Sequence, residues 1–292
     1  MKNQHSNQLL LLTLATLLIS TSGVLGKFIN LPTPVIIWWR CVLGAVFLFA
    51  FCKYKKLNIK INSKKDIPTV VTSALFLGTH WITYFYALKL SNVALGMLSL
   101  FTFPVITALL EPFFIKSKFN FTHIILGTIV LIGIYILAPD FNFENSHVKG
   151  VLLGLFSAVC YALRNLIIKK HVVHYNGSVL MLYQIIILSV VLIPFLFIMG
   201  TDNIETQYPF VIILALFTTA IGHSLFIRSL KYFSVSTASI IGSSQPIFGI
   251  VMAYFFLNEI PTINTFIGGS LILATVIIES FLSKKEKNNE EL

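Results

Sequence analysis

A 142-residue offset recurs along this chain and restricts its folds more than any other feature. Lys27, Leu88, Lys89, Pro104 and Gly127 reappear as Lys169, Leu230, Lys231, Pro246 and Gly269, with no insertion between them. The spacing of lysine, proline and glycine carries the signal, because apolar letters coincide by chance in a sequence this hydrophobic. Two tandem halves, 9–138 and 149–282, are therefore expected, with a polar and mobile cytoplasmic tail at 283–292.

Each half must bury its apolar surface in something other than itself. Hydrophobic residues make up 56% of the chain, charged residues 11%, and the mean hydropathy is +0.86, so a water-soluble core of this size would have no surface left to solvate. The chain reads as all-α and integral to a membrane. A span takes about 20 apolar residues, and the polar interruptions divide the sequence into ten. The first half holds spans at 9–29, 34–52, 67–89, 93–115 and 121–138. The second holds 148–171, 178–199, 207–230, 235–257 and 262–282. The first run is too long for a cleaved signal and is kept as a span.

Charge orients these spans. The loop 53–66 carries Lys53, Lys55, Lys56, Lys60, Lys64 and Lys65 against the single acid Asp66, which places it on the cytoplasmic side. With that loop inside, 16 of the 21 lysines and arginines face the cytoplasm, three (Lys27, Lys89 and Lys149) face out, and Arg40 and Arg164 lie within spans. Both termini are then cytoplasmic, in a multi-pass protein of the cell inner membrane. Five spans per half force the second half to enter the membrane upside down. The expected fold is ten transmembrane helices as two inverted five-helix repeats, the architecture of secondary transporters with a site at the repeat interface.

Other classes find little support. The net charge of +10 is scattered at span ends and does not point to nucleic acid. Cys41, Cys52 and Cys160 lie in apolar runs without paired spacing and read as buried small hydrophobes. His171 and His174 have helical spacing but no third ligand nearby, so no metal is expected. No phosphate-binding glycine loop or hydrolase motif occurs, and neither cofactor nor enzymatic activity is expected.

Several polar residues inside spans are candidates for function. Pro104 and Pro246 fall mid-span, where each frees a carbonyl and kinks its helix, and both are expected to face protein or a cavity. His80 and Tyr84 share one helix face with Trp81 beside them; His223 falls at the offset partner of Trp81. Ser243, Ser244 and Gln245 precede Pro246, so these side chains either line a pocket or satisfy packing and the kink. Arg40 lies about 9 Å below the outer edge. It either snorkels or pairs structurally beside Trp38 and Trp39, or serves substrate or a gate. Glu111, Arg164 and Arg228 gather near the cytoplasmic ends of their spans. Glu111 has three readings: a latch to Arg164, a proton carrier, or a structural pair with Lys116.

Both halves resemble the EamA unit of the drug/metabolite transporter superfamily. In the first half the resemblance rests on Gly26, Lys27 and Phe28, on Pro34 with Arg40, on residues 87–89 and 99–104, and on Gly127. In the second it rests on Tyr161 and Ala162, residues 229–231 and 243–246, Asn258 with Glu259, and Gly268 with Gly269. The first half departs from the pattern at Ser117, opposite Glu259, and at Ile19, opposite Tyr161. The resemblance implies a secondary transporter working by alternating access, with efflux of amino acids or related polar metabolites as the leading expectation. Import of a metabolite or vitamin is the alternative, and an intramembrane enzyme or a non-transporting scaffold are remote ones. Expected partners are a small-molecule substrate and the lipid bilayer, with a proton as candidate coupling ion and a homodimer as candidate assembly.

Overall fold

In lipid a backbone N–H or C=O finds no water, so a spanning segment must close its own hydrogen bonds. The computed structural model describes residues 2–114, 121–137, 142, 144–233, 235–242 and 244–290, and their side chains except at 2–6, 123, 236, 237, 239, 240 and 279–290. All regular structure among these residues is helical. Lys116, Ser117, Ala138, Asp140 and Ser243, which carry some of the expectations above, lie outside the described residues.

The helices run α1 (Lys2–Phe28), α2 (Thr33–Tyr54), α3 (Ile67–Leu90), α4 (Val93–Leu100), α5 (Phe103–Phe114) and α6 (Thr122–Leu137). There follow α7 (Ser146–Lys169), α8 (Gly177–Val191), α9 (Ile193–Met199) and α10 (Ile204–Ile213). A π-helical stretch, Leu214–His223, leads into α11 (Ser224–Ser229), then α12 (Val235–Gly242), α13 (Gln245–Leu257) and α14 (Ile263–Glu290). Five units, of which Val93–Phe114 and Ile204–Ser229 join successive helical elements, are long and apolar enough to cross a membrane: Asn7–Phe28, Thr33–Tyr54, Val93–Phe114, Ser146–Lys169 and Ile204–Ser229. The pair α8 and α9, bent by 41°, makes a sixth if it is one span, and Ile124–Leu137, Gln245–Leu257 and Ile263–Ile278 are shorter apolar helices.

Several expected helices are broken, and proline explains where. Pro104 stands in the first turn of α5, just after the break at Phe101 and Thr102, and Pro246 in the first turn of α13. A helix start already has unpaired N–H groups, so proline costs little there. Both prolines therefore restart helices instead of kinking continuous ones. Pro194 does the same for α9, a break that hydropathy concealed inside the expected span 178–199. Asparagine side chains at 92, 145 and 176 cap α4, α7 and α8 by accepting from the first-turn amides of Leu95, His147 and Ser178. The last helix, α14, extends into the polar tail as far as Glu290.

The lysine-rich loop is held against the other half. Tyr175, in the turn after α7, donates its hydroxyl to Asp66 at 2.6 Å and accepts the Asn62 amide at 3.0 Å. That bond to a carboxylate pushes the Tyr175 pKa up. His171 lies 3.8 Å from the same carboxylate, so its place is in this clasp. Tyr183 donates to the Ile59 carbonyl at 2.5 Å.

The 142-residue offset reappears in side-chain hydrogen bonds. Lys27, at the end of α1, donates to the carbonyls of Leu88 and Ser91 at 2.7 and 2.6 Å. Lys169, at the end of α7, donates to the carbonyls of Leu230 and Phe233, positions displaced by the same offset. Each lysine satisfies carbonyls left open at the end of a neighbouring helix. In the centre, α3 packs most extensively on α7, while α1 packs on the π-helical stretch and on α13. The broken pair α4–α5 packs on α7, and α12 joins α13 against α1.

Candidate functional site

A cavity opens where these helices meet. It is lined by Ile19 and Ser22 of α1, His80, Trp81 and Tyr84 of α3, and Leu100 and Phe101 at the α4–α5 break. Tyr161 of α7, His223 and Gln245 complete it. The cavity measures about 20 Å³. That is room for about one water.

Five of the expected lining residues are here: His80, Trp81, Tyr84, His223 and Gln245. Pro104 and Pro246 are buried beside the breaks and Ser244 is half-buried; none of the three lines the cavity. The breaks themselves deliver Leu100, Phe101 and Gln245. Tyr161 lines the wall with its ring 4.4 Å from the His80 ring, nearly stacked, and 4.8 Å from Phe103, edge on. Trp81 meets His223 edge on at 5.3 Å. A signal for Tyr161 existed, since the offset pairs it with Ile19 as it pairs His223 with Trp81, and all four residues line this wall. Leu100 and Phe101 lay within the 99–104 stretch of the resemblance without being singled out, and Ser22 left no such trace.

Hydrogen bonding fixes the form of His80. Ser157 donates its one hydroxyl proton to the His80 carbonyl at 2.9 Å, so at 2.7 Å from His80 Nδ1 its oxygen accepts. Nδ1 of His80 therefore carries a proton. His223 is 2% exposed and its Nδ1 has no hydrogen-bond partner among the described residues.

Behind the wall stand two buried arginines. Arg40 does not snorkel: it is 1% exposed, turned inward, with its guanidinium carbon 3.9 Å from the Trp81 ring centre. Its Nε donates to Thr219 at 2.5 Å and its Nη2 to Thr218 at 3.0 Å. These two threonines are consecutive, and they belong to the π-helical stretch. Such stretches are rare and recur at functional sites. Arg164 lies one turn beyond Tyr161, fully buried, and donates to Gln184 at 2.6 Å and Asn165 at 2.8 Å. Gln184 in turn donates to Ser73 at 2.7 Å, tying α7, α8 and α3 together. Gln184 reaches Arg164 from α8, and among the described residues no salt bridge joins Arg164 to Glu111. Glu111 is half-buried near the end of α5, and Arg228 is exposed on α11. Neither lines the cavity.

An ion pair that the sequence did not single out closes one end of the molecule. After α13, Asn258 turns left-handed at φ +54°, and the next residue, Glu259, reaches back to α4. Its Oε2 accepts the Val93 amide at 2.7 Å, and its Oε1 lies 3.8 Å from Lys27 Nζ. A carboxylate at a helix N-terminus is favoured by the exposed amides and the helix dipole. Lys89 completes this end by donating to the Leu31 carbonyl at 2.5 Å.

The profile of the EamA-like transporter family matches residues 7–138 and 148–281. The S-adenosylmethionine uptake transporter of Rickettsia conorii (strain ATCC VR-613 / Malish 7) is 23% identical over 281 residues, covering 93% of this chain and 91% of that protein. The pseudopaline exporter CntI of Pseudomonas aeruginosa (strain UCBPP-PA14) is also 23% identical, covering 94% and 96%. A solved crystal structure superposes with a TM-score of 0.72 at 16% identity, over 96% of this chain and 98% of that one, a likeness of fold alone.

Proposed function

We infer the function from kinship: the chain belongs to the EamA-like transporter family. It is a multi-pass membrane protein and a transporter of a small molecule. Within that frame it is a secondary transporter of ten spans, arranged as two inverted five-helix repeats, that works by alternating access. The broken helices, counted as one span each with their partners, support the number. The Lys27 and Lys169 hydrogen bonds, repeated at the offset, support the repeat. The loop 53–66 supports cytoplasmic termini in the cell inner membrane.

One observation carries the transport reading: a tight polar and aromatic cavity at the junction of both halves, too closed for a metabolite to enter without helix movement. Export of an amino acid or related polar metabolite is the leading direction. Import is the second reading, favoured by the uptake relative. The test is a metabolite-panel uptake and export assay in proteoliposomes, with and without an imposed pH gradient. Flux of a panel member across the sealed bilayer is expected, and the gradient shows whether protons couple to it. Chemical turnover of a panel member in detergent, without a bilayer, would discard the reading.

The Glu259 clasp then closes the outer end. Glu259→Gln keeps an acceptor for the Val93 amide and loses the charge facing Lys27, a change of about 1 kcal/mol, or about fivefold in an equilibrium. In an Ala94→Cys background, a membrane-impermeant maleimide added outside is expected to label about fivefold faster once Glu259 is replaced. Labelling only from the inner face would reverse the orientation.

A further inference from the structure

We propose that the cavity selects an anionic group, so that the substrate presents a carboxylate or an equivalent organic anion to its wall. This deepens the transport reading and rests on it. Arg40 and Arg164 are each 1% exposed or less. A guanidinium remains charged under all ordinary conditions. Among the described residues, every hydrogen bond that the two arginines donate goes to a neutral group: Thr218, Thr219, Asn165, Gln184 or the Met181 sulfur. Among the described residues no carboxylate forms a salt bridge with either, and none of the cavity's lining residues is acidic.

Burying a cation without a counter-charge is expensive, and inside a membrane such residues mark substrate or ion pathways. Their placement supplies the direction. Arg40 stacks on the back of Trp81, whose ring forms the wall. Arg164 stands one turn from Tyr161, another wall residue. Both are within electrostatic reach of His80 and His223. A cavity flanked by charges of one sign, with low-dielectric walls, concentrates ions of the opposite sign. The hydrogen-bonding capacity for such an ion is present in His223, whose Nδ1 is unpartnered among the described residues, and in the Gln245 amide. The arginines need not touch the substrate: they set the sign of its charge, and the lining groups orient it.

The experiment reads the charge preference of the cavity without knowing the substrate. With Trp38 and Trp39 replaced by phenylalanine, Trp81 is the sole tryptophan of the chain. The probes are iodide and caesium, collisional quenchers of opposite charge, used at equal ionic strength on the purified full-length protein. Because Trp81 is 1% exposed in the closed cavity, the quenchers read the state in which the helices part, and there iodide is expected to quench Trp81 roughly tenfold more effectively than caesium. A Trp81→Phe protein, which keeps Trp38 and Trp39, corrects for the overall positive charge. Arg40→Gln and Arg164→Gln should each lower the preference severalfold, and Arg40→Lys should retain it. Gel-filtration profiles identify any variant that fails to fold, leaving the other to decide. Equal quenching by the two ions, no quenching by either, or a preference unchanged in the glutamine variants would overturn the proposal. Because the assay requires no flux, transport without anion preference sinks this inference alone. Anion preference without any flux sinks only the reading it rests on.

Discussion

Arg40→Met is expected to lower transport by about tenfold or more while leaving the thermal midpoint of the purified protein unchanged or raised. The two halves of that result have different causes. Removing the guanidinium abolishes two charge-assisted hydrogen bonds of about 1.5–3 kcal/mol each and a cation–π contact of about 2 kcal/mol. It also removes the desolvation of a buried cation, several kcal/mol in the opposite direction. The Thr218 hydroxyl already donates to the Leu214 carbonyl at 2.5 Å, so the substitution strands no donor there. Methionine fills much of the same volume, and its thioether packs well against Trp81. The net stability change is therefore within about 1 kcal/mol, or about 2–4 °C. Flux in proteoliposomes and thermal unfolding of the same preparation check both halves. Normal flux would remove Arg40 from the mechanism, and a midpoint lowered by more than about 10 °C would make it a structural residue.

Gly268→Val is expected to separate α6 from α14 and to destabilise the protein by about 2–3 kcal/mol or more. A Cβ at Gly268 would stand 2.6 Å from the Gly133 carbonyl oxygen, and one at Gly133 would stand 3.0 Å from the Gly268 carbonyl. Both obstacles are backbone atoms, which cannot turn aside as a side chain does. Small residues let membrane helices approach this closely, and close packing is what holds such helices together in lipid. The thermal midpoint should fall by about 5–10 °C, with lower abundance in the membrane. Gly127→Ala is the control. There a Cβ meets only Leu109 among the described residues, at 3.7 Å, so the midpoint should hold. A stable Gly268→Val protein would mean that the two helices are not in contact as described.

These two sites differ in how far the sequence exposed them. Gly268 belonged to the motif that suggested the family, yet only the crossing with α6 shows why a side chain is excluded. Arg40 was visible as a charge inside a span, and its two readings were snorkelling to the outer surface or service at a gate. What ended the ambiguity was Trp81, together with Thr218 and Thr219, 178 and 179 residues away along the chain. Glu111 and Arg164 looked like partners because both approach the same membrane face. Only the structure shows that Gln184, 20 residues from Arg164 in sequence, lies on a helix close enough to accept from it.

The sequence by itself determined that the chain is helical and embedded in lipid, because 56% hydrophobic residues leave no other solvent and lipid tolerates no unpaired backbone. It also set the 142-residue offset and brought His80, Trp81, Tyr84, His223 and Gln245 forward as wall residues. Hydropathy averages over a turn or more, so it could not locate the interruptions near Phe101 and Leu192 or the π-helical stretch that turns two threonines towards Arg40. Only the tertiary structure decided which buried polar groups meet. Helix crossing and rotation depend on interlocking side chains from segments far apart in the chain. On those crossings rest the inward turn of Arg40, the bond from Arg164 to Gln184 and the clasp of Glu259 on Lys27.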